Sequence, residues 1–282
     1  MMEEQLKSIK CFAVDHRSLG QEKWPFPWIR LGTGFENDCA IKDIVEPSIC
    51  TDRFNAFLGE WTAIWWVYAH LSDFGSADYV GISNYRRFFT KAAPNYGVFP
   101  IFKYSGPMNQ QVIASILTPE ELLSICQASS LDGILPTKFP DYSYANGCKD
   151  VVDLMHAESN FLKLGMSEQL CKTVFDFLAS VCSNHFSRKA VLNSMSQLST
   201  FHFNVFVLEK ELFKQYVKII NEVVFKTIDY IDSNHIENLH PRLFGYVIER
   251  LSSCLFFMMS SVGKKFAEIP ITLFDKSMTS NG

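Results

Sequence analysis

The chain has 282 residues, enough to bury one sizeable core. Hydrophobic residues make up 48% and charged residues 20%, which excludes a disordered chain. The formal net charge of -4 and the lack of a long basic run argue against a duplex nucleic-acid surface, so an anionic ligand has to be met by a local basic cluster.

The eight cysteines form no CxxC pair and are not interleaved with histidine at zinc-finger spacing, which argues against a structural zinc site. Most lie in apolar runs and read as small buried hydrophobes of a reducing compartment. Met1 to Lys10 is polar and acidic, unlike a signal peptide.

Ser8 to Val14 is an apolar run that predicts a buried strand, followed by the polar loop Asp15-His16-Arg17. Lys23 to Ile29 carries three aromatics and two prolines and reads as a rigid irregular segment. Gly32-Thr33-Gly34 reads as a turn and lacks the spacing of a dinucleotide fingerprint or a P-loop. Arg53 to Leu71 has helical periodicity, with Asn55 and Glu60 as polar residues in a strongly apolar setting. Asp78 to Ile82 predicts a second buried strand.

Thr118-Pro119-Glu120-Glu121 combines a capping Thr, a proline at the first helical position and a Glu three residues after the cap, so a helix starts there. Gly133 to Leu135 predicts a short strand ending at Pro136. Helices are expected over Val151 to Leu164, Ser167 to Cys182, Glu211 to Tyr230 and Pro241 to Met259. Phe201 to Leu208 and Ala267 to Leu273 read as strands. The apolar stretch Leu251 to Val262 is too short to span a bilayer and reads as a buried helix, with contact to a membrane surface as the weaker reading. Strands alternating with helices predict an α/β fold with a mainly parallel sheet flanked by helices, and additional helices in the C-terminal half.

Ligands of open α/β sheets bind beyond the carboxyl ends of the strands. Asn84-Tyr85-Arg86-Arg87 directly follows one predicted strand and Asp15-His16-Arg17 follows another. Paired guanidinium groups match the oxygens of a diphosphate, though an Arg-Arg pair is also an ordinary solvated surface feature. Arg242, Tyr246, Glu249 and Arg250 share one helical side through spacings of three and four, as pocket lining or as a salt-bridge set. His156 and Glu158, or Asp141 and Tyr142, have the chemistry of a general base. Asn204 is a polar residue in an apolar strand, suited to capping backbone or to holding a sugar hydroxyl. No nucleophile elbow, HExxH or Ser-xx-Lys occurs, and no DxD metal motif follows a candidate strand.

These blocks resemble a bacterial family of capsular, exopolysaccharide and O-antigen biosynthesis proteins, described as a domain of unknown function. Its characterised members are glycosyltransferases, including galactofuranosyltransferases. Ala13-Val14-Asp15-His16-Arg17 is similar to the family's strand ending in His-Lys. Asn55 through Glu60-Trp61-Thr62-Ala63-Ile64-Trp65-Trp66 looks like its Asn, Glu-Leu-Thr and aromatic run. Asp78-Tyr79-Val80-Gly81-Ile82-Ser83-Asn84-Tyr85-Arg86-Arg87-Phe88-Phe89 resembles Asp-Tyr-Ile-Gly-Leu-x-His-Tyr-Arg-Arg-Tyr-Phe. Leu131 to Pro136, His156, Phe203 to Val207 and Arg242 to Leu251 follow the later blocks in order. Two features depart from the pattern. Asn84 stands where the family has His, and the acidic, glycine-containing stretch before the Asn is not recognisable around Gly34 to Asp52.

The resemblance implies a single GT-A-like glycosyltransferase domain. Residues 1–140 form the nucleotide-sugar half and 141–282 the helical acceptor half. A nucleotide-diphosphate sugar, a UDP-sugar foremost, donates to a glycan or lipid-linked acceptor on the cytoplasmic side, with at most peripheral membrane contact. His16 and Arg17 face the nucleotide, and Arg86 and Arg87 the diphosphate. Asn55, Glu60, Asn84, Tyr85, Asn204 and Arg242 shape the sugar or acceptor pocket. His156 or Glu249 is the base. No cofactor or metal is expected. The rival readings are a non-catalytic sugar- or nucleotide-binding component of a polysaccharide-assembly complex, and a nucleotide-sugar-modifying enzyme.

Overall fold

The computed structural model describes residues 7–15, 28–32, 60–84, 87–91, 101–104, 110–138, 145–201 and 204–274. Among these, nine strands form one sheet: β1 (Ile9–Asp15), β2 (Ile29–Gly32), β3 (Tyr79–Asn84), β4 (Arg87–Phe89), β5 (Ile101–Tyr104), β6 (Gly133–Pro136), β7 (Phe206–Glu209), β8 (Phe266–Ile269) and β9 (Ile271–Phe274). The helices are α1 (Glu60–Ala69), α2 (Gln110–Ser115), α3 (Pro119–Ala128), α4 (Val151–Leu162), α5 (Glu168–Cys182), α6 (Arg188–Met195), α7 (Lys210–Ser233) and α8 (Leu243–Ser261).

Local chemistry explains the helix starts. At α3, Thr118 accepts from the Glu121 amide while the Glu121 carboxylate accepts from the Thr118 amide, closing a capping box. Asp150 caps α4 and Ser167 caps α5 through side-chain oxygens.

The strand order is β5-β9-β4-β3-β7-β6-β8, with β1 paired to β3 and β2 paired to β1. Four pairings are parallel (β1 with β2 and β3, β5 with β9, β6 with β8). Four are antiparallel (β3 with β4 and β7, β4 with β9, β6 with β7). The sheet is therefore mixed, where the sequence pattern predicts a mainly parallel one. Strand direction depends on the end of the sheet at which a connection delivers the chain. The 145–201 helical excursion delivers β7 against both neighbours.

The predicted terminal strand is two strands. Proline has no amide proton to continue a ladder, and Pro270 separates β8 from β9. Since β8 pairs with β6 and β9 with β4, the ring β3-β7-β6-β8/β9-β4 closes on itself and the sheet is partly barrel-like.

Period-two alternation divides the core between the two faces of the sheet. Phe12, Val80, Ile82, Leu135, Phe206 and Leu208 pack with α1 and with α4 to α8. Cys11, Ala13, Tyr79, Ile134 and Val207 pack with Trp28, Phe88, Phe89 and the Leu122 and Cys126 side of α3. Leu251 to Ser261 falls in α8, and Leu251 to Met259 is largely buried, as expected for a core helix. The whole helix is nevertheless 19 residues long, long and apolar enough to cross a membrane, although most of it is covered by the protein. Composition alone cannot separate a core helix from a span.

Candidate functional site

β1 and β3 run parallel in a register that sets Val14 beside Asn84, so their carboxyl ends form one rim. β4 pairs antiparallel with β3, and Arg87 stands directly across from Asn84. The Ser83 hydroxyl donates to the Arg87 carbonyl and ties β3 to β4. Ser83 and Asn84 are both buried.

α1 brings Glu60 to the same rim. The helix is held against α7 by the Trp61 indole, which donates to Asn221 Oδ1 at 2.7 Å and meets the Tyr216 ring edge-on. Glu60 lies in the first described turn of α1. Asn84 Nδ2 donates to Glu60 Oε1. Arg87 Nη1 lies 3.7 Å from that same oxygen, with only 13% of the Arg87 side chain and 21% of the Glu60 side chain exposed. The Arg87 guanidinium is thus anchored at the sheet rim.

Asn204 precedes β7. The β3–β7 ladder ends at the Ile82–Phe206 pair, two residues after Asn204. Its φ of 48° lies in the left-handed region, which Asn tolerates better than most side chains. The residue is buried, and its Oδ1 has no hydrogen-bond partner among the described residues.

The α8 side chains divide. Arg250 turns inward and forms a bidentate pair with Glu158 of α4, Nε to Oε2 at 2.7 Å and Nη2 to Oε1 at 2.8 Å, with both side chains at least nine-tenths buried. This corrects the reading of Glu158 as a general base, because both carboxylate oxygens are committed to a guanidinium. It also resolves the Arg250 alternative in favour of a salt bridge. Arg242 is exposed at the start of α8, with its guanidinium 5.9 Å from the Tyr246 ring centre. Glu249 is half-buried, and its carbonyl accepts from Ser253 Oγ. Ser253 also receives the Phe201 amide, so Glu249 lies one turn from the anchor of the segment leading towards Asn204. His156 is half-buried on α4 and its Nε2 lies 3.1 Å from Asn160 Nδ2.

The structure therefore brings Glu60, Asn84 and Arg87 into contact, and Asn204 lies just before β7, the antiparallel neighbour of β3. His156 and Arg242 make their contacts elsewhere. His16, Arg17, Asn55, Tyr85 and Arg86 lie outside the described residues, as do Asp141 and Tyr142. Ser83 went unremarked in the sequence, because one serine inside an apolar strand carries no pattern. Among the described residues no three His, Cys, Asp or Glu side chains converge as metal ligands. Burial pushes the thiols of Cys126, Cys171, Cys182 and Cys254 up to about 12 and raises that of Cys11 too, so none is a ready thiolate nucleophile.

The fold is similar to that of WbbM, a bifunctional glycosyltransferase, in its apo form. The TM-score is 0.70 at 18% identity, over 96% of this chain and 46% of that one. The chain thus spans about half the length of the WbbM chain it matches, and at this identity the likeness is one of fold. No curated protein matches. The model of a family described as a domain of unknown function, DUF4422, matches residues 49–259, most of the chain. The chain belongs to the DUF4422 family.

Proposed function

We propose that this chain is a glycosyltransferase that moves a sugar from a nucleotide-diphosphate sugar to a glycan or lipid-linked acceptor during surface-polysaccharide assembly, on a GT-A-like nucleotide-binding scaffold. The observation that carries the reading is Arg87, held by Glu60 at the carboxyl edge of β3 in a fold shared with WbbM. In glycosyl transfer the leaving diphosphate gains charge as the glycosidic bond breaks. Preorganised cations at that point lower the barrier. Arg86 and Arg87 take this role in our reading, the role a DxD-bound metal has in many related folds.

His16 and Arg17 follow β1, the neighbour of β3, and contact the nucleotide. Asn55, Glu60, Asn84, Tyr85, Asn204 and Arg242 shape the sugar or acceptor side. Glu249 is the favoured base for the acceptor hydroxyl because the Ser253 anchor keeps it near the Asn204 segment, with His156 as the second candidate. The donor is a UDP-sugar and the site of action is the cytoplasmic face of the membrane. A likeness covering 46% of a bifunctional chain supports one transfer activity here.

The test is transfer from a panel of nucleotide-diphosphate sugars, preceded by a thermal-shift screen, since a ligand that binds only the folded state raises the melting temperature. Arg87→Ala and Arg86→Ala are expected to lower kcat/KM about a hundredfold or more. Full turnover by both variants in EDTA, with unchanged stability, would sink the phosphate role. A second reading, a non-catalytic sugar- or nucleotide-binding component, draws on Asn84, which has no proton to exchange near neutral pH. Binding without transfer or donor hydrolysis by purified protein would select it.

A further inference from the structure

We infer that Glu60 is a resident counter-anion that restrains Arg87 and sets how tightly the site takes a diphosphate. The inference rests on the nucleotide-diphosphate reading above and concerns the same rim.

Arg87 and Glu60 already form an ion pair at 3.7 Å, and both side chains are mostly covered. Asn84, itself buried, donates to the same Glu60 oxygen and so holds the carboxylate in place. An arriving diphosphate meets a guanidinium whose charge is already shared with a fixed carboxylate. Binding must draw Arg87 partly away from Glu60. The carboxylate therefore weakens anion binding in the empty site and favours ligands whose nucleotide and sugar contribute contacts of their own. It discriminates against bare pyrophosphate. On release of the diphosphate it recaptures Arg87 and speeds departure.

Glu60→Gln tests this cleanly. The amide keeps an oxygen for Asn84 and removes only the charge. By calorimetry, inorganic pyrophosphate is expected to bind Glu60→Gln about tenfold more tightly than the unaltered chain, the size of one partly buried charge contact. Uridine, which has no phosphate, is expected to bind both alike. In an Arg87→Gln background the same Glu60→Gln change is expected to alter pyrophosphate affinity little. That separates release of Arg87 from a mere change in net charge. Unchanged or weaker pyrophosphate binding by Glu60→Gln overturns the inference and makes Glu60 a ligand contact. An equal gain without Arg87 overturns it as well. Failure of every variant, and of the unaltered chain, to bind pyrophosphate or UDP overturns both the inference and the nucleotide-diphosphate reading.

Discussion

At Asn84 the side-chain amide donates to Glu60, as a histidine N–H does, but it carries no proton that moves near neutral pH. An Asn at this position therefore supplies a structural donor without an ionisation. Asn84→His is expected to keep the melting temperature within a few degrees and to add an ionisation between roughly pH 5 and 8 to the pH dependence of kcat/KM. An unchanged profile assigns position 84 to structure alone. Elsewhere the residue scale is governed by pairing. Glu158→Leu leaves Arg250 charged in the core and is expected to cost about 3–5 kcal/mol in urea unfolding, whereas Glu158→Leu with Arg250→Met recovers most of it. Arg250 is indistinguishable in sequence from the exposed Arg242, since the face a helix buries depends on what packs against it.

Elements with strong local signals were legible. The capping box at Thr118 needs only four adjacent residues. Thr118→Ala is expected to lower stability by about 1 kcal/mol, read as a shift in the denaturation midpoint. The strands Gly133–Pro136 and Tyr79–Asn84 stood out as apolar runs between polar ends. The short strands β2, β4 and β5 did not, and neither did helices α2 and α6. β2, β4 and β5 have three or four residues and no apolar run between clear polar ends, and they exist because neighbouring strands complete their hydrogen bonds. Close approach between strands also escapes the sequence. A Cβ on Gly133 would stand 2.3 Å from the Val207 carbonyl oxygen, so β6 and β7 meet only because that side chain is absent. Gly133→Ala is expected to prise these strands apart, lower the melting temperature sharply and reduce soluble yield.

For the molecule as a whole, the buried thiols set a limit at high pH. An unfolded chain ionises them near 9.0, while burial holds Cys126, Cys171, Cys182 and Cys254 at about 12. Between those values the folded state binds more protons than the unfolded one, so the free energy of unfolding falls as pH rises. Burial raises Tyr79 to about 12 and also raises Tyr216, which adds slope in the same direction. The denaturation midpoint is expected to be level around neutral pH and to drop from about pH 9 upward. Replacing the four thiols by alanine is expected to flatten the drop. A midpoint unchanged from pH 8 to 11 refutes the linkage.

Some of this architecture was written in neighbouring residues. The α/β alternation, the helix caps, the inert cysteines and the polar cluster after Asp78 to Ile82 rest on interactions a few positions long, which a linear pattern records. The mixed strand directions, the closure at Pro270, the inward turn of Arg250 and the meeting of Glu60 with Arg87 join segments far apart along the chain. Such contacts form only when connections, packing and desolvation are satisfied together, and no local window of residues contains that information.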